Sequence, residues 1–218
     1  MNNSNVLLDI YDRLFKYFGK QHWWPGDTDF EIIVGAILTQ NTNWGNVEKA
    51  IKNLKEAKVF TPRKLYEIDI QELAELIRPS GYFNVKAKRL KHFIEWLFLK
   101  YNGSLPKMFK QDYDKLREEL LSINGIGRET ADSILLYAAQ KPTFVIDAYT
   151  KRVLVRHELI PEDYEYEEMK AFFEENLPED VSLYNEYHAL LVRVGKYYCK
   201  PKEQCEECPL KELFNNAK

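Results

Sequence analysis

Apolar residues recur along this chain every three to four positions and almost nowhere every two. Val6, Leu7, Ile10, Leu14 and Phe18 make one such stripe, and Trp44, Val47, Ile51 and Leu54 make another. That spacing lines one face of a 3.6-residue helix, whereas a half-buried strand requires alternation. Further segments with helical spacing run over 69–77, 84–101, 112–122, 128–139, 148–157, 165–176 and 181–197. Start signals agree: Thr28 with Glu31 is a capping-box pair ahead of "IIVGAIL", and Thr61-Pro62 is a cap followed by a first-turn proline. The expected fold class is all-α, with about ten helices and no strands.

At 218 residues and 45% apolar content, the chain can bury a sizeable core in one or two small domains. No apolar run approaches the roughly 20 residues of a membrane span. The opening "MNNSNVLLDIYDRLFKYF" carries charges inside its apolar pattern, unlike a signal peptide. A cytoplasmic, membrane-free protein is expected. The three cysteines, Cys199, Cys205 and Cys208, fall close together near the C-terminus, which suggests metal chemistry more than disulfides. Net charge is −3, against a uniformly basic nucleic-acid binder. Its distribution is uneven. Arg78, Lys86, Lys88, Arg89 and Lys91 crowd 78–92 without an acid, while 162–180 is acid-rich with one lysine, Lys170. A basic face opposite an acidic one and ordinary solvated helix faces both account for this.

The stretch "LSINGIGRETADSIL" (121–135) brings two glycines between two helical patterns. Gly125 and Gly127 permit positive φ and close backbone approach. Leu121, Ile123 and Ile126 form an apolar clasp, and Thr130 and Ala131 begin a helix whose free N–H groups would suit a phosphate. A plain helix-to-helix turn with a glycine C-cap reads the same way. Just downstream, "TFVIDAYTKR" sets Asp147 after an apolar run, ahead of a helix it would cap. The segment 27–137 is bracketed by the N-terminal helix and by everything after 138. The expected organisation is therefore one helical lobe over 27–137, ending in the hairpin, and a second built from 1–26 with 138–218, carrying Asp147 and the cysteine loop.

"LLSINGIGRETADSILLYAAQKPTFVIDAYTKRV" resembles the helix-hairpin-helix and aspartate of the endonuclease III superfamily of DNA glycosylases. "IIVGAILTQNTNW" resembles that family's early helix and wedge loop, and "VGKYYCKPKEQCEECPL" its C-terminal cluster loop. The likeness implies a two-lobed helical fold, a monomer in base excision repair, and double-stranded DNA with a damaged base as partner. It implies that Asp147 is catalytic, opposing the positive charge that develops on the deoxyribose as the base leaves and activating water. It assigns Gly125, Ile126, Gly127 and Thr130 to DNA contact, with a monovalent cation as a further candidate at the hairpin, and gives Gln40-Asn41 the part of filling the gap left by a flipped base. Turn and cap chemistry alone also explains "TQNTN".

Family members that cleave the strand carry a lysine eighteen residues before the aspartate, where this chain has Glu129. A carboxylate cannot form a Schiff base, so a monofunctional hydrolase of the N-glycosyl bond is expected. Glu129 is also explained as an acid in a first helical turn. Trp23-Trp24-Pro25, Trp44, Glu129 and "RPSGYFNVKAKRL" look like the 3-methyladenine glycosylase branch, whose substrates are alkylated purines. By that match Trp23 and Trp44 sandwich the base, Trp24, Pro25 and Glu129 line the pocket, and Lys196 falls where the branch has a modified lysine. Stacking and cation–π attraction suit a cationic base. Each tryptophan taken singly also reads as core.

The family's cluster loop spaces four cysteines as C-x6-C-x2-C-x5-C. Here Cys199-x5-Cys205-x2-Cys208 keeps three, and the fourth slot falls on Phe214. The resemblance implies a [4Fe–4S] cluster, with Glu212, Asn215, Asn216 or water as fourth ligand, or a relic loop without metal. Two other functions remain open: an endonuclease III-like glycosylase/lyase for oxidised pyrimidines using another lysine such as Lys151, and a non-catalytic DNA-structure binder.

Overall fold

A computed structural model describes residues 3–202, 204–211 and 213 of the chain. The fold is all-helical, with no strand among the described residues. Twelve α-helices are present there against the ten or so expected: α4 (Pro62–Glu67) starts at the Thr61-Pro62 signal, whereas α7 (Leu105–Phe109) is too short to show a helical period in sequence. The chain divides into two compact units, Gly26–Ala139 and Met1–Pro25 with Gln140–Lys218.

The Gly26–Ala139 unit is organised around α2 (Asp29–Leu38), which buries Phe30, Ile33, Val34, Ile37 and Leu38 and so is covered on nearly every side. Against it pack α3 (Trp44–Glu56), α6 (Phe83–Tyr101) and the α9 segment (Arg128–Ser133). The last continues as a π turn over Ile134–Ala138, every residue of it buried. The remaining elements of this unit are α4, α5 (Ile70–Leu76), α7 and α8 (Tyr113–Leu121). Thr28 Oγ1 caps α2 by accepting from Glu31 N, but the reciprocal half of the expected capping box is absent. Glu31 instead accepts from Asp27 N and pairs with Lys55. The Lys55 ammonium lies 2.8 Å away, and a charge-assisted bond outcompetes a neutral backbone donor.

The other unit holds α1 (Asn3–Phe18), α10 (Ala148–Arg156), α11 (Tyr166–Glu174) and α12 (Val181–Tyr197). Tyr187 on α12 donates its hydroxyl to Leu7 O at 2.8 Å, which fastens α1 to α12. Phe144 stacks on Phe173 with ring centroids 3.7 Å apart and takes the edges of Tyr184 and Tyr187. Residues 143–146 are buried yet lie outside any helix, and their backbone must find partners elsewhere. It does: Glu174 Oε1 accepts from Phe144 N at 2.7 Å, and Tyr166 Oη from Ile146 N at 3.5 Å. This buried run delivers the chain to Asp147. Among the described residues, no helix is long and apolar enough to cross a membrane.

Candidate active site and cysteine loop

The hairpin is a tight turn between α8 and α9. Ile126 N donates to Ile123 O at 3.0 Å, and both isoleucines are buried, as an apolar clasp requires. Leu121 is only half-buried. Gly125 has φ +94°, the left-handed region that glycine enters without strain, and a Cβ there would drive into the Arg89 stem. Gly127 does not use the positive φ that glycine permits. At φ −92° and ψ 177° it is the extended N-cap of α9, and space above its Cα is open. The helix begins at Arg128, two residues before Thr130.

Two buried polar systems hold this turn. Arg117 on α8 grips the fully buried Asp132 carboxylate on α9 through two bonds of 2.8 and 3.1 Å, bracing the hairpin's helices against each other. Gln40 supplies the second. Its Nε2 donates to Gly125 O at 3.1 Å and Thr130 Oγ1 at 2.9 Å, while its Oε1 accepts from Arg89. Gln40 is therefore a strut to the hairpin, whereas its neighbour Asn41 is exposed with φ +54°. Close by, Lys86, only 1% exposed, donates to Leu38 O at 2.8 Å and Ser80 O at 2.6 Å, occupying the carbonyl end of α2. Burial first, and then Arg89, push its pKa down to about 8. In the sequence Lys86 and Arg89 read only as part of a basic run. Their signal was Lys86's place in the buried spacing 86, 87, 90, 93, 94 along α6.

Glu129 stands exposed in the first turn of α9, and its backbone oxygen accepts from Ser133 Oγ at 2.7 Å. Trp44 begins α3, half-buried, behind an Asn43 side chain that accepts from Asn46 N. Gln40, Asn41, Trp44 and the hairpin with Glu129 thus belong to one unit. Trp23, Trp24, Pro25, Asp147, Lys196 and the cysteines belong to the other.

Asp147 caps α10: its Oδ1 accepts from Thr150 N at 2.7 Å. Its Oδ2 lies 3.8 Å from His188 Nε2 on α12, beyond hydrogen-bond reach. The carboxylate side chain is 14% exposed and the imidazole 5%. Burial pushes the His188 pKa below its ordinary value, against the opposing pull of the Asp147 carboxylate. One oxygen is thus fixed on a helix N-terminus, and the other faces an imidazole that no sequence motif pointed to. Trp23 and Trp24 meet edge to face with centroids 5.4 Å apart; both are half-buried and Pro25 is exposed. Lys196 is exposed, its ammonium 5.6 Å from the centroid of Tyr197. Lys151 donates to Tyr164 O at 3.2 Å.

Cys199, Cys205 and Cys208 line one cavity of about 200 Å³, together with Arg156, His157, Tyr198 and Lys211. Burial raises the Cys208 thiol pKa, and the nearby Cys205 and Cys199 raise it further. Arg156 Nη1 lies 3.5 Å from Cys199 Sγ and donates to Lys200 O, and its Nη2 donates to Pro201 O, joining the end of α10 to the loop. Burial, then Arg156, lower the His157 pKa to about 4. Among the described residues, no three His, Cys, Asp or Glu are grouped so as to hold a metal ion. Phe214, Glu212, Asn215 and Asn216 lie outside the described residues.

Residues 34–179 match the HhH-GPD superfamily of base excision DNA repair proteins. The chain belongs to this superfamily. It is 50% identical over 97% of its length to a candidate DNA repair glycosylase of Methanocaldococcus jannaschii, of which it covers 97%. To endonuclease III of Thermotoga maritima it is 34% identical, over 94% of this chain and 91% of that one. Among solved structures, it is similar to the H. pylori 3-methyladenine DNA glycosylase bound to 1,N6-ethenoadenine. That match has a TM-score of 0.77 and 31% identity, over 90% of this chain and 98% of the other. An endonuclease III–DNA complex is also similar, with a TM-score of 0.83 and 26% identity over 98% and 96% of the two chains.

Proposed function

We propose that this HhH-GPD protein is a monofunctional DNA glycosylase that excises alkylated purines of the 3-methyladenine type from double-stranded DNA. The observation that supports the reading most is Glu129. An exposed carboxylate, not an amine, occupies the first turn of the hairpin helix eighteen residues before Asp147. Without a lysine there, the sugar is attacked by water and the strand is left intact. The likeness to a glycosylase holding 1,N6-ethenoadenine, an alkylated adenine, supports the substrate class.

In this reading the Asp147 side chain opposes the cationic sugar as the C–N bond lengthens, with Thr150 N–H fixing its orientation. The fully buried run before Asp147 lowers the local dielectric and strengthens that field. Trp44 offers an indole face for stacking on the flipped base, and Glu129 of the same unit supplies negative charge to a cationic base. Gly127, exposed and open above its Cα, admits a phosphate to the hairpin beside Ile126 and Thr130. A monovalent cation bridging hairpin carbonyls and phosphate belongs to the same proposal. Asn41, exposed and left-handed, enters the gap left by the base, while Gln40 keeps its place as a strut.

Cys199, Cys205 and Cys208 fit an iron–sulfur cluster by their chemistry and by sharing one cavity with two cations, Arg156 and Lys211, that would offset its negative charge. They do not fit a single ion, since no three donors are grouped for one. When bound, such a cluster would brace the loop and hold Cys199 against Arg156; no step of base release runs through it.

The test is incubation with methylated duplex DNA and identification of the released bases, with borohydride present in a parallel reaction. Release of 3-methyladenine without a covalent protein–DNA adduct is expected. The 34% identity to a Thermotoga maritima endonuclease III favours a second reading, a glycosylase/lyase for oxidised pyrimidines. Adduct formation with oxidised pyrimidine substrates would establish it and direct the search to Lys151. Binding without any base release would leave a DNA-structure binder.

A further inference from the structure

We propose that His188 is a positioning residue for Asp147: an N–H at its Nε2 sets the direction of the carboxylate oxygen that Thr150 does not hold. The inference rests on the glycosylase reading above, in which Asp147 meets the sugar, and deepens it. Thr150 N donates to Oδ1 at 2.7 Å. One bond does not settle the second oxygen, because rotation about the last torsion of an aspartate is broad. Oδ2 takes its direction from what it faces, and His188 Nε2 is 3.8 Å away. That is too long for a hydrogen bond, so the attraction is between a carboxylate and a ring dipole, strengthened by burial. Catalytic contacts are often long and tighten only in the substrate complex.

One helix fixes both partners. Phe144, in the run that leads to Asp147, packs its ring against Tyr184 and Tyr187 of α12, with centroids 5.5 and 5.8 Å apart. Tyr187 is itself tied to Leu7 O. His188 is the next residue on α12, so the helix that seats this run also carries the ring facing Asp147. The imidazole is 5% exposed. An apolar side chain would fill such a place without the cost of burying a polar ring, so packing alone does not call for histidine. Burial lowers the His188 pKa and outweighs the upward pull of Asp147. A neutral ring orients Oδ2 without adding a positive charge that would oppose the developing sugar cation.

The experiment uses the full chain with 15N-histidine, and His188→Gln assigns the His188 ring among the four histidines. A protonated Nε2 signal is expected, and Asp147→Asn should move it. His188→Leu should fold with undiminished Tm and bind duplex DNA as the wild type does, yet release base about ten- to a hundred-fold more slowly in single turnover, the scale of a displaced catalytic group. His188→Gln, which sets an amide N–H near the place of Nε2, should recover most of that rate. A leucine variant at full rate, a glutamine variant no faster than leucine, or an Nε2 signal that is unprotonated or unmoved by Asp147→Asn overturns the role while leaving the glycosylase reading intact. Equal loss in both variants with a lowered Tm makes His188 a core residue and also overturns it. A wild type that releases no base overturns the reading and the role together. If the His188 variants fail to fold, the Nε2 signal in the wild type and Asp147→Asn decides.

Discussion

Alanine at each of the two hairpin glycines should have opposite consequences. At Gly125, φ is +94°, a region that costs an L-residue about 1–3 kcal/mol. A methyl there would also lie 2.8 Å from Arg89 Cδ and 3.1 Å from its Cβ, and closer still to Cγ. These are stem atoms next to the helix, so the whole Arg89 side chain must leave and its bond to Gln40 is lost. A hydrogen bond to a charged group contributes about 1.5–3 kcal/mol. The two terms together give about 2.5–6 kcal/mol. For a chain of this size that is a drop of roughly 5–20 °C in Tm. Gly127 has an ordinary φ of −92° and nothing within 4 Å of an added Cβ, so Gly127→Ala should fold with unchanged stability. If the open space above Gly127 admits DNA, the same methyl should weaken duplex binding. Urea melts and binding isotherms on both variants separate the effects. Equal destabilisation by the two, or a Gly127→Ala protein that binds DNA normally, would refute the division of labour between the glycines.

Three further outcomes are expected. Asp147→Asn should abolish base release but retain duplex binding and nearly all stability, because the amide still caps α10 while the charge is gone; normal turnover would remove Asp147 from the mechanism. Trp44→Ala should cut excision of cationic 3-methyladenine by about tens- to several-hundred-fold with little change in Tm, since stacking contributes ~1–3 kcal/mol per base and cation–π attraction adds to it; uniform loss on all substrates with lowered Tm would make the indole structural. Lys86, held down to about 8 from an ordinary 10.5, binds its proton less readily folded than unfolded. Folding stability should therefore rise between about pH 8 and 10.5 in urea melts, and Lys86→Met should flatten that rise.

The apolar stripes carried most of the fold. Leu7, Ile10 and Leu14, and Val47, Ile51 and Leu54, are all buried where helical spacing placed them. Caps were legible too, at Thr28, Thr61 and Asp147, because a side chain that bonds its own helix needs no distant partner. The failures share one cause: the deciding partner lies far along the chain. Gln40 in a loop of turn residues gives no sign that Gly125 and Thr130 await it 85 and 90 positions on. Glu31 lost its capping role to Lys55, 24 residues away. The π turn at 134–138 lies in an unbroken apolar run, and nothing local distinguishes it from α-helix. The tryptophans are half-buried, an intermediate state that neither the pocket nor the core interpretation specified.

The same comparison separates what shapes the helices from what aims them. Burial of Ile33, Phe93 or Phe144 is non-directional, and cores tolerate hydrophobic substitutions of similar volume. Directional geometry comes from polar side chains committed to backbone groups that no helix or sheet satisfies. Glu174 and Tyr166 hold the buried run before Asp147, Gln40 holds the hairpin at Gly125, and Lys86 holds the end of α2 just before Gln40. Removing one of these leaves a buried carbonyl or N–H unsatisfied, at about 1–3 kcal/mol each, and frees the segment it aimed. A chain with the apolar stripes alone would still collapse into helices. It would not fix the turn at Gly125, or a carboxylate with one oxygen on Thr150 N and the other facing His188, and the proposed chemistry depends on both.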